Sequence, residues 1–202
     1  MKFKAHPWHG IHPGEKCPDE LTAFIEIVSA DTVKYEIDKT SGYLKLDRPQ
    51  KFSNVVPSMY GFVPQTYCGK YVAALASVTK GDGDPLDICV LSERVITHGD
   101  ILVTAIPIGG LCMIDKGEAD DKIIAVLQND EIYGKISDIN ELSQGIIQRI
   151  RHYFLTYKLA PGSNENVVEI SSIYGKNHAH EVIRESRRDY QDLVSKDIPN
   201  WL

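Results

Sequence analysis

Short strand-like segments in close succession constrain the fold of this chain most strongly. Each segment is rich in β-branched and aromatic residues or alternates apolar with polar side chains, and glycine, proline or aspartate separates it from the next. The predicted strands are Thr22–Val28, Val33–Ile37, Tyr43–Leu46, Tyr71–Thr79, Leu86–Leu91, Ile101–Ile108, Lys122–Leu127 and Val167–Tyr174. Turn residues at 38–42 would join the second and third of these strands in a hairpin.

Two segments near the C-terminus have helical spacing instead. Their apolar residues recur about every 3.6 residues, and Pro161-Gly162 would end the first helix. These residues are Ile146, Ile147, Ile150, Phe154 and Tyr157 in the first helix, and Ala179, Val182, Ile183, Tyr190, Leu193 and Val194 in the second. Strands followed by helices are typical of an α+β domain, so we expect an antiparallel sheet or small closed barrel with helices packed outside.

The length and charge of the chain limit the classes of protein to which it can belong. Its 202 residues suit a single domain at 1–202, beginning with a loop-like N-terminal arm at 1–20. The longest apolar stretch, Ile101–Ile114, is interrupted by Pro107 and is shorter than the roughly 20 residues of a membrane-spanning helix. A formal net charge of −6 disfavours nucleic acid and anionic membranes as partners. Since the N-terminus has no signal-peptide pattern, we expect a protein that is not exported.

Cysteine and histidine residues give little indication of a metal site. The cysteines form no C-x-x-C pair, so we expect free or buried thiols in a reducing cytosol. They are Cys17, Cys68, Cys89 and Cys112. His6, His9 and His12 could bind a metal in principle, but their position favours a flexible N-terminal arm.

The sharpest local motif is Gly81-Asp82-Gly83-Asp84-Pro85-Leu86-Asp87, which places three carboxylates close together just before a predicted strand. Two such charges 4 Å apart repel by about 4 kcal/mol at an effective dielectric constant near 20. A divalent cation would reverse the sign of that energy, and oxygen ligands favour Mg²⁺, Mn²⁺ or Ca²⁺. The alternative is an acidic surface turn, because aspartate and glycine are common in turns.

A second acidic segment, Asp115–Lys122, also lies between apolar strands and contains Asp120. It could be an ordinary charged loop, but two acidic segments at strand ends make a shared metal site more plausible. Lys34, Arg48 and Lys158 could bind a highly charged phosphate beside such metals, or they could be solvated surface charges.

Several motifs follow one another in an order that resembles a known family. They are Lys34-Tyr35-Glu36-Ile37-Asp38-Lys39, Asp47-Arg48, Tyr60-Gly61, Asp82-Gly83-Asp84-Pro85-Leu86-Asp87, Asp115 with Asp120 and Lys122, and Tyr157-Lys158. This succession resembles the family I soluble inorganic pyrophosphatases, from about Phe24 to Lys158. The resemblance implies an α+β, mainly β fold, with a five-stranded OB-like closed barrel and flanking C-terminal helices. It also implies Mg²⁺-dependent hydrolysis of pyrophosphate, with Mn²⁺ as a possible substitute, by a cytoplasmic homo-oligomer.

The same resemblance implies a role for individual residues. The metal ligands would be Glu26, Asp82, Asp87, Asp115 and Asp120. Asp84 would be the general base that accepts a proton from metal-activated water, and Glu36 would tune Lys34. The residues that bind phosphate oxygens would be Lys34, Arg48, Tyr60, Lys122, Tyr157 and Lys158, with Lys34 and Arg48 also in catalytic roles.

The sequence departs from the family pattern at two places. Many members have tyrosine where this chain has Val56, which removes one hydroxyl from the expected edge of the pocket. The segment between Tyr60 and Asp82 is longer than in compact bacterial members, and its residues 68–80 are predicted to form an extra hairpin arm. Two alternatives to the enzyme remain open: a non-catalytic binder of metal or phosphate, and an OB-type nucleic-acid-binding barrel. The negative net charge disfavours the second.

Overall fold

The structure is a computed structural model, and it describes residues 4–159, 162 and 168–197. In chain order its strands and helices are β1 (Leu21–Ile27), β2 (Val33–Ile37), β3 (Leu44–Pro49), β4 (Met59–Phe62), α1 (Lys70–Leu75), β5 (Asp87–Leu91), β6 (Ile101–Asp115), β7 (Glu118–Ala119), β8 (Lys122–Leu127), α2 (Gln144–Thr156), β9 (Val168–Gly175) and α3 (Lys176–Asp197). Two short 3₁₀ turns, Tyr133–Lys135 and Ile139–Glu141, lie between β8 and α2.

The strands β1, β4, β5, β8 and β6 are joined side by side, and β6 pairs again with β1, so that these strands form a ring. All neighbours in the ring are antiparallel except β5 and β8, which are parallel. The strands β7 and β9 extend the sheet from β6. The hairpin β2–β3 forms a separate two-stranded sheet.

The helices α2 and α3 cover different sides of this sheet because the buried strands are apolar on both faces. Along β8, Ile123 and Ala125 pack in one cluster with Val182 of α3. Ile124 and Val126 alternate with them and pack in a second cluster with residues of α2. A strand that is buried on both faces has a continuous apolar sequence, as β8 does.

Gly61 allows β4 to lie close to β1, with which it pairs. A Cβ atom at this position would lie 1.8 Å from the Phe24 carbonyl oxygen, a distance that no side chain can adopt. The strand β4 was not predicted, because it is short and contains this glycine. The packing against β1 outweighs the low strand propensity of glycine.

Most predicted elements are confirmed: β2 and β8 have the predicted bounds, and the ends of the others are shifted. The strand predicted at Ile101–Ile108 continues to Asp115, past a pairing irregularity between Pro107 and Gly109. The first predicted helix ends at Thr156, whereas Pro161, expected to end it, lies outside the described residues. Val167, the predicted start of β9, also lies outside them.

The predicted hairpin arm at 68–80, with a strand at Tyr71–Thr79, is wrong. The chain forms α1 there, and Val72 and Ala73 pack in the core. The Asp189 carboxylate of α3 accepts hydrogen bonds from the backbone N–H groups of Gly69 at 3.0 Å and Val72 at 3.1 Å, and from that of Tyr71. These are among the first N–H groups of a helix, which have no partner within the helix itself.

We expect Asp189→Ala to lower the free energy of unfolding by about 2 kcal/mol, because it leaves the capped N–H groups without their charged acceptor. Asp189 is 4% exposed, so water cannot readily replace it. Urea unfolding measures the change, with Glu181→Ala as a control on the exposed side of the same helix. A loss no larger than that of the control would show that Asp189 does not stabilise α1.

From residue 4 to residue 20 the N-terminal segment has no helix or strand, as predicted, but it does not extend as a free arm. Trp8 is 5% exposed, and its indole N–H donates a hydrogen bond to the Thr66 carbonyl at 2.8 Å. All four cysteines are free thiols, and only Cys17 is partly exposed. In the described part of the chain, no helix has the length and apolar character needed to span a membrane.

Candidate active site

A cavity of about 370 Å³ lies beside the ring, between the β2–β3 hairpin and the end of α2. Most of the side chains that line it are charged or carry a phenol hydroxyl. Those predicted from the sequence are Glu26, Lys34, Glu36, Tyr60, Asp82, Asp84, Asp87, Asp115, Asp120, Lys122, Tyr157 and Lys158. The fold therefore brings together residues that are up to 132 positions apart in the chain, from 26 to 158.

The parallel pairing of β5 and β8 builds the floor of the cavity. Their register places Asp87 next to Lys122, at the first residue of each strand. Asp120 precedes Lys122 by two residues, and the ammonium group of Lys122 forms ion pairs with both carboxylates. Tyr60 donates a hydrogen bond to Asp87 at 2.6 Å. Lys122 is 1% exposed, so this is a buried charge cluster.

The floor holds three carboxyl groups, those of Asp82, Asp87 and Asp120, around the single ammonium group of Lys122. Burial raises the pKa of Asp82 to about 9, and repulsion from Asp120 adds to the rise. Burial also raises the pKa of Asp120. For Lys122, burial lowers the pKa, but the carboxylates of Asp120 and Asp87 outweigh it and raise the pKa well above its usual value. The repulsion between Asp82 and Asp120 and the raised pKa of Lys122 both indicate a negative potential, which a further positive charge would relieve.

The donor chemistry of the floor fits a hard divalent cation. Asp82, Asp87 and Asp120 offer only oxygen ligands, which Mg²⁺ prefers. Across residues 4–159, 162 and 168–197, however, no three carboxylate, imidazole or thiol groups are already arranged to hold a metal ion. At the floor, the Lys122 ammonium group contacts the carboxylates of both Asp87 and Asp120.

Glu26 lies above the floor, on β1. Its carboxylate accepts a hydrogen bond from the Ile37 N–H at 2.6 Å, which connects β1 to the hairpin. Burial nevertheless raises the pKa of Glu26 to about 8, and the nearby carboxylate of Asp87 contributes. Glu26 is therefore another buried carboxylate for which a nearby cation would be stabilising.

The segment 82–87 is fixed from both sides. The Asp82 N–H donates to the Ala119 carbonyl at 3.1 Å, which joins the two acidic segments found in the sequence. The Asp84 carbonyl accepts from the Cys68 N–H at 2.8 Å, and Gly83 provides the positive φ of +78° that the turn requires. The Asp84 side chain remains 48% exposed and forms an ion pair with Lys39, which was not among the predicted site residues.

Two further lysines face the cavity, each paired with a carboxylate. Lys34 on β2 contacts Glu36 and lies 3.5 Å from Asp47. Lys158, just after α2, contacts Asp115 at the end of β6. Each of these two lysines thus forms an ion pair with a carboxylate that lines the cavity.

Comparison with known proteins supports the resemblance found in the motifs. A family model for inorganic pyrophosphatases matches residues 23–191. The inorganic pyrophosphatase of Chlamydia trachomatis serovar D is 50% identical over 199 residues, which cover 94% of this chain and 95% of that protein. Soluble inorganic pyrophosphatase 3 of Arabidopsis thaliana is 38% identical, over 94% of this chain and 81% of that protein. The crystal structure of inorganic pyrophosphatase from Thermus thermophilus has a TM-score of 0.79 at 30% identity, covering 93% of this chain and 99% of that one.

The chain belongs to the inorganic pyrophosphatase family. That family consists of enzymes that hydrolyse pyrophosphate, so the family and the enzyme class predicted from the motifs are both confirmed.

The structure separates one predicted site residue from the others. Arg48 lies on β3, opposite Lys34 in the hairpin register, and does not line the cavity. Its Nη1 atom is buried without a hydrogen-bond partner among the described residues. Val56, where many members have tyrosine, is buried in the core cluster that includes α2, and it does not line the cavity either.

Some cavity residues were not identified from the sequence. They are Ile27, Ile37, Lys39, Phe62, Pro85, Lys116, Glu118, Tyr153 and Phe154. Tyr153 lies one helical turn before Tyr157, and the two rings stack with their centroids 5.3 Å apart. The helical spacing of the two tyrosines was a signal that could have found Tyr153.

Asp121 supports the floor from behind. It lies between Asp120 and Lys122 in the chain, and it is 2% exposed. Tyr174 on β9 donates a hydrogen bond to the Asp121 carboxylate at 2.9 Å. This contact connects β9 to the segment that carries the cavity residues.

We expect Tyr174→Phe to lower the free energy of unfolding by about 1–3 kcal/mol, since it leaves the buried Asp121 carboxylate without this donor. Thermal or urea unfolding measures the loss. Tyr43→Phe is the matched control, because Tyr43 is highly exposed and the same hydroxyl there is solvated. Equal stability of the two variants would contradict a supporting role for the Tyr174 hydroxyl.

Proposed function

We propose that this chain hydrolyses inorganic pyrophosphate to two phosphates in the cavity described above, in a reaction that depends on Mg²⁺. The observation that supports this most strongly is the floor, where three carboxyl groups, those of Asp82, Asp87 and Asp120, lie around the one buried ammonium group of Lys122. A carboxylate cluster of this kind suits a cation, and the lysines around it suit phosphate oxygens. Membership of the family supports the same assignment.

Five carboxylates are proposed as cation ligands. Asp82, Asp87 and Asp120 would form the main set, Glu26 would contribute through water, and Asp115 with Asp120 would contact a cation that accompanies the substrate. A divalent cation held there would supply charge neutralisation of the phosphates and a lower pKa for a bound water molecule.

Lysine and tyrosine side chains are proposed to bind and orient the substrate. Each of Lys34, Lys122 and Lys158 is paired with a carboxylate, and phosphate oxygens would compete with that carboxylate for the ammonium group. The hydroxyls of Tyr60 and Tyr157 would orient the same oxygens. Arg48 would have to extend past Lys34 to take part, and its unpartnered Nη1 atom leaves it available for an anion.

Asp84 is proposed as the general base. Its carboxylate lies at the rim of the cavity and is half exposed, so water can reach it. It would accept a proton from the water molecule that attacks phosphorus, while the lysines stabilise the charge of the departing phosphate. The pairing of Asp84 with Lys39 orients the carboxylate before substrate binds.

The resemblance also implies a closed barrel, a homo-oligomer and a cytoplasmic location, and we propose these three properties on that basis. The closed ring of β1, β4, β5, β8 and β6 supports the assignment of an OB-like barrel. The homo-oligomer and the cytoplasmic location stay predictions. An acidic cavity floor argues against the nucleic-acid-binding alternative, which would need a basic groove.

Phosphate release from pyrophosphate tests the proposed function. We expect rapid release by the purified protein with millimolar Mg²⁺, loss of release on addition of EDTA, and little release from ATP under the same conditions. Absence of release from pyrophosphate with Mg²⁺ or Mn²⁺ would leave the non-catalytic binder as the better description.

A further inference from the structure

The β2–β3 hairpin needs an anchor. Within the described part of the chain, its strands pair with each other and with no strand of the ring. It nevertheless carries Lys34, Glu36 and Lys39, all of which line the cavity. The accuracy of the site therefore depends on what holds this hairpin in place.

Trp8 fills the space between the hairpin and the ring. It is buried in a cluster with Phe24 and Phe62 of the ring and with Ile37 of the hairpin. Leu44, on the other strand of the hairpin, packs against the same cluster. The indole N–H of Trp8 donates a hydrogen bond to the Thr66 carbonyl, which fixes the orientation of the Trp8 side chain.

His6 forms a polar connection to the hairpin turn. Its Nδ1 atom accepts the backbone N–H groups of Trp8 at 3.2 Å and His9 at 3.4 Å, which leaves the proton of the neutral ring on Nε2. Nε2 then donates to the Lys39 carbonyl at 3.2 Å. Gly42, in the same turn, lies so close that a Cβ atom there would be 2.8 Å from the imidazole.

Lys39 connects this segment to the site. Its carbonyl accepts the hydrogen bond from His6, and its ammonium group pairs with Asp84. Both side chains of that ion pair are about half exposed, and such a pair is weak by itself. Fixing the backbone of Lys39 reduces the conformational freedom that the pair must overcome.

His9 ties the same segment to α3. Its ring stacks on Trp8 with a centroid distance of 4.5 Å, and its Nδ1 atom lies 2.8 Å from the Tyr190 hydroxyl. The segment thus contacts the hairpin, the ring and the C-terminal helix at once.

We infer that the segment His6–His9 is a positioning element of the active site, which holds the hairpin turn through His6 and thereby orients Lys39 and Asp84. His6 does not touch the substrate. The role of Asp84 in this inference rests on the proposed function. The statement that His6 holds the hairpin turn does not depend on it.

His6→Asn separates the two hydrogen-bonding roles of the ring. The asparagine carbonyl can still accept the N–H groups of Trp8 and His9, but its side chain is too short to reach Lys39. We expect faster hydrogen exchange of the amides at 33–49 and unchanged exchange in α1. We also expect kcat/KM to fall about 3–10-fold, as for the loss of one hydrogen bond, with little change in melting temperature.

Two further variants act as controls. His6→Gln can still donate to the Lys39 carbonyl and should restore much of the lost kcat/KM. His12→Asn changes an exposed histidine that follows this segment and whose ring contacts Gly14 and Glu15, and it should behave as the wild type.

Lys39→Met tests whether the two contacts of Lys39 act together. If His6 acts through Lys39, the effects of His6→Asn and Lys39→Met on kcat/KM should be less than additive. Additive effects, or wild-type exchange of the hairpin amides in His6→Asn, would overturn the inference. If the wild type releases no phosphate, the proposed function fails, and the exchange measurement still decides whether His6 holds the hairpin.

Discussion

Asp84→Asn should lower kcat for pyrophosphate hydrolysis by about 10²–10⁴-fold, the usual contribution of a general base. Asparagine has the same shape but cannot accept the proton of the attacking water. The fold should be unaffected, because the structural bonds of residue 84 use its backbone N–H and carbonyl. Steady-state kinetics at saturating Mg²⁺ measure the change, and thermal unfolding confirms the fold.

Two control variants test whether the loss of kcat in Asp84→Asn comes from the Asp84 carboxylate itself. Lys39→Met removes the ion pair with Asp84 but leaves the carboxylate, so its effect on kcat should be much smaller than that of Asp84→Asn. Asp19→Asn changes an exposed aspartate outside the cavity and should leave kcat unchanged. Equal losses in Asp84→Asn and Lys39→Met would mean that the ion pair matters and that Asp84 is not the base.

Lys122→Met should lower the free energy of unfolding by about 3–5 kcal/mol in EDTA, as expected when one partner of a buried ion pair is removed. Methionine fills a similar volume, so the loss reports on charge: Asp87 and Asp120 would face each other without the ammonium group. Urea unfolding measures the difference. The difference should shrink in Mg²⁺, because the variant lacks the ammonium group that competes for Asp87 and Asp120 and should therefore gain more stability from the cation.

Lys16→Met is the matched control for this variant. Lys16 also pairs with a carboxylate, Glu20, but on the surface, where such a pair contributes about 1 kcal/mol or less. If Lys122→Met were no more destabilising than Lys16→Met, the Lys122 ammonium group would not be needed to offset the repulsion between Asp87 and Asp120.

Local sequence patterns predicted the strands that are buried on both faces, and β8 has the predicted bounds, Lys122–Leu127. They failed where a distant residue decides the local structure. The segment after Gly69 forms α1 because Asp189, 118 positions from Tyr71, accepts its first N–H groups. Similarly, Gly61 weakens the sequence signal for β4. The close approach of the Phe24 carbonyl explains why glycine is needed at this position.

The carboxylates of the site could be found from their spacing before strands and from the motif resemblance. The positive charges were harder to place. Lys39 reaches Asp84 across 45 positions of sequence only because the hairpin folds over the cavity. Arg48 was expected at the substrate, but it does not line the cavity, although it is the partner of Lys34 in the hairpin register. The contacts of His6 and Trp8 involve the turn and the ring together, and no local pattern in the N-terminal segment indicates them.

Diffraction from crystals grown with Mn²⁺ tests the central claim most directly, since anomalous scattering locates this cation without ambiguity. We expect Mn²⁺ bound by Asp82, Asp87 and Asp120, with the Lys122 ammonium group no longer shared between Asp87 and Asp120. Mn²⁺ absent from this cluster in crystals of an active, Mn²⁺-saturated enzyme would contradict the claim that the cavity floor is the cation site.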